Sequence, residues 1–298
     1  MERYSSERAG VIAALVSSAL GGTAGGLTRF AIGANDPYTL AAFRFGIAFV
    51  LILPIALALR SRWPQGRDWW LVGALGVLYF AVFFFIYNLA LSYTTAARRS
   101  LALSTLPLVT MIIAALLGRE QITSRKSAGV FLAMAGVATA LGMGLADAPP
   151  DAWRGDLIML GGTVIMALYS IWAAPLMQRS SRLGFLSAGM GFGSVASVLI
   201  AWQQCGLAMT ADFEAGQWAA VIALGVLGGA AAFYLWVYAL ERTTPTRVTN
   251  TMTINPIAAS LVGAALVGEP LGINLLVGIV GVGAGIYIAS TPGREGAK

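Results

Sequence analysis

The 298-residue chain has no histidine, a single cysteine and only 13 acidic residues. Each scarcity removes a class of chemistry. Cys205, being alone, can form neither an internal disulfide nor a thiolate metal cluster. Without histidine the chain lacks the commonest protein general base and metal ligand. The carboxylates fall in tails, connecting segments or the ends of apolar runs, so no nucleophile triad, metal cluster or mid-span proton relay can be assembled from them. The expectation is therefore of no enzyme, no catalytic residue, no metal and no cofactor. Charge of either sign is also scarce. Charged residues make up 11% of the chain, against about 25% in a soluble domain. The net charge of +6 then needs no nucleic-acid partner, because no soluble basic face exists to hold one.

What is abundant is apolar: 58% of residues are hydrophobic and the mean hydropathy is +0.77. Crossing about 30 Å of hydrocarbon takes roughly 20 apolar residues as a helix. Ten such runs fit, near 10–31, 38–59, 69–91, 96–118, 126–145, 156–177, 184–205, 216–240, 245–267 and 272–290. The first follows "MERYSSERAG" and carries Gly21, Gly22, Gly25 and Gly26 without a cleavage pattern, which reads as a retained helix and not as a leader. The fold class expected is all-α integral membrane with ten transmembrane helices. With the N-terminus inside, Arg98, Arg99 and Arg154 lie outside, Arg29 and Arg44 lie within spans, and every other basic residue is cytoplasmic. That asymmetry orients both termini to the cytoplasm of a multi-pass inner-membrane protein. Trp69, Trp70, Trp153 and Trp218 at run ends suit an interfacial belt.

The chain also repeats itself. Thr94/Thr243, Thr95/Thr244, Arg98/Arg247, Pro107/Pro256 and Glu120/Glu269 all lie 149 residues apart, half of 298. The register extends through Trp69/Trp218, "ALGVL" at 74–78 and 223–227, Gly129/Gly278 and Gly136/Gly285. Shared Ala, Leu and Gly in membrane helices would not hold Thr-Thr, Arg, Pro and Glu in one register. Two halves, 1–148 and 149–298, are expected. Five spans per half is an odd number, so the second half enters the membrane from the opposite side. Such inverted repeats place a substrate site near the midplane, in a central cavity between them.

The stretches "PYTLAAFRFG", "ALSYTTAARRSLALSTLPLV…GRE" and "ALERTTPTRVTNTMTINPIAASLVGAALVGEP" resemble the ten-helix, EamA-type branch of the drug/metabolite transporter superfamily. The resemblance covers nearly the whole chain and is most specific in the second-half Ala-Leu-x-x-Thr…Pro…Gly-Glu phrase. "GGTAGGLTRF" stands where many members carry a Trp-Gly pair. The sequence is most similar to the bacterial exporters of aromatic and other amino acids. The resemblance implies an alternating-access transporter exporting small metabolites, amino acids foremost. Drugs or sugar and nucleotide derivatives are the alternative cargo, and a membrane-embedded enzyme or a receptor is a weaker reading. The partners implied are a small-molecule substrate and the lipid bilayer, with the chain working as a monomer.

Candidate site residues follow from position. Tyr79, Phe83 and Tyr87 share one helix face, and the repeat carries that face to Gly228, Ala232 and Trp236, giving one bulky wall and one open wall. Tyr169 and Trp172 add rings with polar tips that can orient a substrate. Pro107 and Pro256 interrupt apolar runs and should kink them, and Ser104, Asn250, Thr253 and Asn255 beside them can line a cavity or glue helices together. Arg44, Arg98, Glu120, Arg247 and Glu269 are candidates for a gate or for structural charge, Arg44 as an anchor on backbone groups and Arg29 as a snorkelling cation. Thr94, Thr95, Thr243 and Thr244 read as caps, and the Gly-x-x-x-Gly pairs as packing. With no mid-span carboxylate, facilitated diffusion or coupling through Glu120 and Glu269 is expected.

Overall fold

The computed structural model describes residues 2–32, 37–91, 93, 94, 96–142, 150–205, 214–258, 261, 265 and 273–290, which are helical or in short turns, with no strand among them. The helices are α1 (Glu2–Ile32), α2 (Pro37–Ala58), α3 (Asp68–Val77), α4 (Phe84–Leu91), α5 (Ala96–Ser104), α6 (Leu106–Leu116), α7 (Ser124–Leu141), α8 (Ala152–Arg179), α9 (Arg182–Cys205), α10 (Ala215–Ala223), α11 (Ala232–Leu240), α12 (Pro245–Asn250) and α13 (Ile273–Ser290). Among the described residues six stretches are long and apolar enough to cross a membrane: Thr39–Ala58, Asp68–Tyr87, Arg99–Leu116, Ala152–Arg179, Arg182–Gln203 and Ala215–Leu240. In hydrocarbon the backbone must satisfy itself, and a helix is the local way to do it.

Helix ends are written in the sequence. Pro107 and Pro245 sit in the first turns of α6 and α12, where the missing N–H is no loss. The Thr123 hydroxyl accepts from Lys126 N–H at the start of α7, and Glu214 and Gln217 form a reciprocal capping box on α10. Gly118 turns the chain after α6 with a φ of +65°, a conformation that favours glycine.

Two continuous helices change pitch midway. Leu78–Phe83 joins α3 to α4, and Leu224–Ala231 joins α10 to α11, each as a π-helical turn. A π turn spoils the regular backbone pairing and leaves carbonyls for other donors. A packed neighbour supplies a donor to each: the Ser197 hydroxyl of α9 reaches the Phe80 carbonyl at 2.9 Å, and the Arg44 guanidinium of α2 reaches the Gly228 carbonyl through Nε at 3.0 Å and through Nη2.

Glycines set the helix spacing. Gly129 and Gly136 of α7 lie against Gly285 and Gly278 of α13, where an added Cβ would meet the facing carbonyl at 2.7 and 2.9 Å. Contact low on one helix pairs with contact high on the other, so α7 and α13 run antiparallel. Trp70 and Trp153 stand well exposed near helix ends, while Trp218 packs edge-on against Phe43.

Candidate functional site

The core of the bundle is a cluster of rings from five elements. Tyr79 stacks on Tyr169 of α8 with centroids 4.3 Å apart and on Phe83 at 5.3 Å, and meets Phe233 of α11 edge-on at 5.6 Å. Phe45 of α2 packs on Phe80, Phe84 and Phe233. Tyr79, Phe83, Tyr169 and Trp236 are all buried. The rings therefore fill space against one another and do not line an open wall. The wall expected to be open at Gly228 is occupied, since a Cβ there would lie 2.7 Å from that of Ala24 on α1. Tyr87 is half-buried and carries the Arg99 guanidinium over its ring at 3.7 Å. Trp172, grouped with these rings in the sequence, is 38% exposed and joins none of the ring contacts among the described residues.

Polar groups within this core divide sharply. Ser104 donates to the Leu101 carbonyl at 2.7 Å and Thr253 to that of Asn250 at 2.7 Å; each hydroxyl is spent on its own helix. Asn250 is different. It is fully buried, and neither its amide nitrogen nor its amide oxygen meets a protein partner. The Tyr169 hydroxyl, the Trp236 indole N–H and the Thr110 hydroxyl are buried and unpartnered in the same way. These groups ride on α12, α8, α11 and α6; α8 and α12 pack on each other and on both α6 and α11. Native structures seldom leave such atoms unmet, at about 1–3 kcal/mol each, except where a ligand or function explains them.

Helical pitch is interrupted just ahead of both prolines. Ahead of Pro107 the helix breaks at Thr105, and ahead of Pro256 the chain tightens into a 3-10 turn over Thr251–Ile254. Asn255 lies against Gly21 of α1, with its nitrogen 3.6 Å from Met252 Sδ and its buried oxygen unmatched. Alongside, the Ser18 and Thr251 hydroxyls are 2.8 Å apart, and Ser17 donates to the Ala232 carbonyl at 2.7 Å. No feature of the α1 sequence marked Ser17 and Ser18 as contacts of this segment, because only the fold brings them together.

Among the described residues the charges fall near helix ends, Arg44 excepted. Glu120 accepts from the Thr246 backbone N–H at 3.0 Å and pairs with Lys126 at 3.0 Å, so it caps α12 from the opposite half. Arg247 pairs with Glu7 of α1. Glu241 bridges Arg182 at 3.1 Å and Arg242 at 3.3 Å; burial pushes its carboxyl above the usual range, against the pull of both cations. Arg44 lies among the faces of Phe84, Phe45 and Phe233, 5.3–5.8 Å from their centroids. Glu269 and the side chains of Arg98 and Arg29 lie outside the described residues. An apolar groove of about 750 Å3 runs elsewhere, between α1, the Ile254–Leu261 stretch and α13, and none of the expected binding residues lines it.

Known proteins share this architecture. A solved structure superposes with a TM-score of 0.75 at 21% identity, over 96% of this chain and 97% of its own. A probable terminal-alkyne amino-acid exporter of Streptantibioticus cattleyicolor is 27% identical over 86% of this chain and 88% of its own length. An aromatic amino acid exporter of Ancylobacter novellus is 27% identical over 81% and 82%. Residues 8–142 and 153–291 each match the EamA-like transporter family. A multi-pass membrane protein that handles small molecules and performs transport in place of catalysis is what these matches and apolar helices describe: the chain belongs to the EamA-like transporter family.

Proposed function

We propose that the chain exports amino acids, aromatic ones included, across the inner membrane by alternating access between two inverted five-helix repeats, 1–148 and 149–298. Both termini would be cytoplasmic, and one chain would suffice for transport. Ten helices and the inverted arrangement are supported by contacts that exchange under the 149-residue shift. Gly129 meets Gly285 while Gly136 meets Gly278, and Gly229 meets Ala48 while the Phe80 carbonyl accepts from Ser197. The π turns overlap under the same shift.

The observation that carries the substrate site is the unpartnered amide of Asn250, sealed in the core where a helix breaks. Asn250, Tyr169 and Trp236 offer donors and an acceptor beside stacked rings, a combination suited to a small zwitterion with an apolar side chain. Amino-acid cargo is favoured further by the likeness to the two amino-acid exporters. The rings packed around Tyr79 would have to part to admit it, which is a population shift between two packings.

The test is uptake of labelled threonine, methionine, phenylalanine and tryptophan into proteoliposomes, with and without an imposed pH gradient. Saturable uptake that needs no gradient, reduced at least tenfold by Asn250→Ala and several-fold by Tyr169→Phe, is the expected result. No uptake of any of the four by folded, inserted protein sinks the cargo and sends the search to drugs or sugar derivatives.

A further inference from the structure

We infer that Arg44 is the carboxylate-binding residue of the transport site, so that the cargo must carry a carboxylate or an anion of the same shape. The inference rests on the transporter reading above and names the group that this site recognises. Arg44 lies inside the apolar stretch Thr39–Ala58, where a guanidinium cannot be discharged and is costly to bury without a counter-ion. Among the described residues no carboxylate forms an ion pair with it. Its partners are one carbonyl, that of Gly228, and three ring faces.

A backbone carbonyl carries a partial charge and a ring face a quadrupole, so the cation is left under-compensated. The geometry also leaves part of the fork free. Nε and Nη2 both go to Gly228, while Nη1 donates to no group among the described residues. The side chain is only half-buried, so that free edge can be approached. Phe84, one of its three rings, also touches Tyr79 at 6.3 Å centroid to centroid, and Phe233 touches it at 5.6 Å. The cation therefore stands at one margin of the ring cluster that would hold an aromatic side chain. Planar donors in a low-dielectric site recognise carboxylate by geometry as well as charge. The Gly228 carbonyl belongs to the π turn, so it holds the guanidinium in place without neutralising it.

Paired ligands test this, using purified full-length protein. Thermal stabilisation and binding are measured with phenylalanine, phenylalaninamide and phenethylamine, for wild type, Arg44→Gln and Arg44→Lys, alongside flux in proteoliposomes. Wild type is expected to prefer phenylalanine over its amide by at least tenfold. Arg44→Gln should bring that ratio to within twofold, and Arg44→Lys should keep a reduced preference. A merely structural role would move melting temperature and leave the ratio. An undiminished ratio in Arg44→Gln overturns the assignment, as does a wild type that stabilises with none of the ligands or shows no carboxylate preference. Flux reads the other claim separately: selective carboxylate binding without flux of any amino acid sinks export while keeping Arg44 as an anion site.

Discussion

A buried amide with no partner is a debt in stability that a purely structural residue would not carry. Asn250 loses water at both polar atoms and gains no hydrogen bond in exchange, a penalty of about 1–3 kcal/mol per orphaned group. Asn250→Leu keeps the branching and heavy-atom count of the side chain and removes both polar atoms, so it should stabilise the protein, by about 2–4 °C in melting temperature for each kcal/mol recovered. The same change should cut uptake at least tenfold. A melting temperature that falls while uptake persists would make Asn250 a packing residue. Tyr169→Phe makes the same argument with less disturbance, because the ring and its 4.3 Å stack on Tyr79 remain and only an unpartnered hydroxyl is lost. Its melting temperature should stay level or rise.

At the scale of elements, spacing between helices is set where glycine backbones touch. A Cβ at Gly76 would run into the carbonyl of Gly189, backbone against backbone, and neither α3 nor α9 can yield locally. Gly76→Ala should lower the melting temperature and the yield of folded protein. Gly161 on α8 has nothing within 4 Å of an added Cβ, so Gly161→Ala should instead gain up to about 1 kcal/mol of helix propensity. Thermal unfolding of the pair in detergent separates packing from propensity, and equal effects would contradict the account. Much of this layer was legible from residues: apolar run lengths announced α2, α8 and α9, and the chain leaves regular α-helix just ahead of Pro107 and Pro256. Other features were hidden because they depend on distant partners. No pattern in "ALGVLYF" or "ALGVLGGAA" announces a π turn, whose carbonyls are met by Ser197 and Arg44 from other helices. Glu120 as a cap on Thr246 joins residues 126 apart in sequence, and the filling of the Gly228 wall by Ala24 follows from where α1 docks.

For the whole molecule, the question is which side of the membrane each half begins on. Repeat-equivalent positions lie on the same side if the halves are parallel and on opposite sides if they are inverted. Arg67 and Gly216 are such a pair, 149 residues apart, just ahead of α3 and at the start of α10, and both are exposed; a side chain at Gly216 meets nothing within 4 Å. With Cys205→Ser as background, Gly216→Cys should react with a membrane-impermeant maleimide in intact cells. Arg67→Cys should react only after the cells are opened, and Arg154→Cys should follow Gly216→Cys. The orientation rests on basic residues concentrating in the cytoplasm, and the inversion on antiparallel packing of α7 against α13, so one experiment tests two independent arguments. Labelling of positions 67 and 216 from the same side would leave the helices intact and remove the exchange of conformations that alternating access requires. If they lie on opposite sides but with Arg67 outside, inversion survives and the charge argument fails. Only the expected pattern, 216 and 154 outside and 67 inside, joins repeat, orientation and transport direction in one molecule.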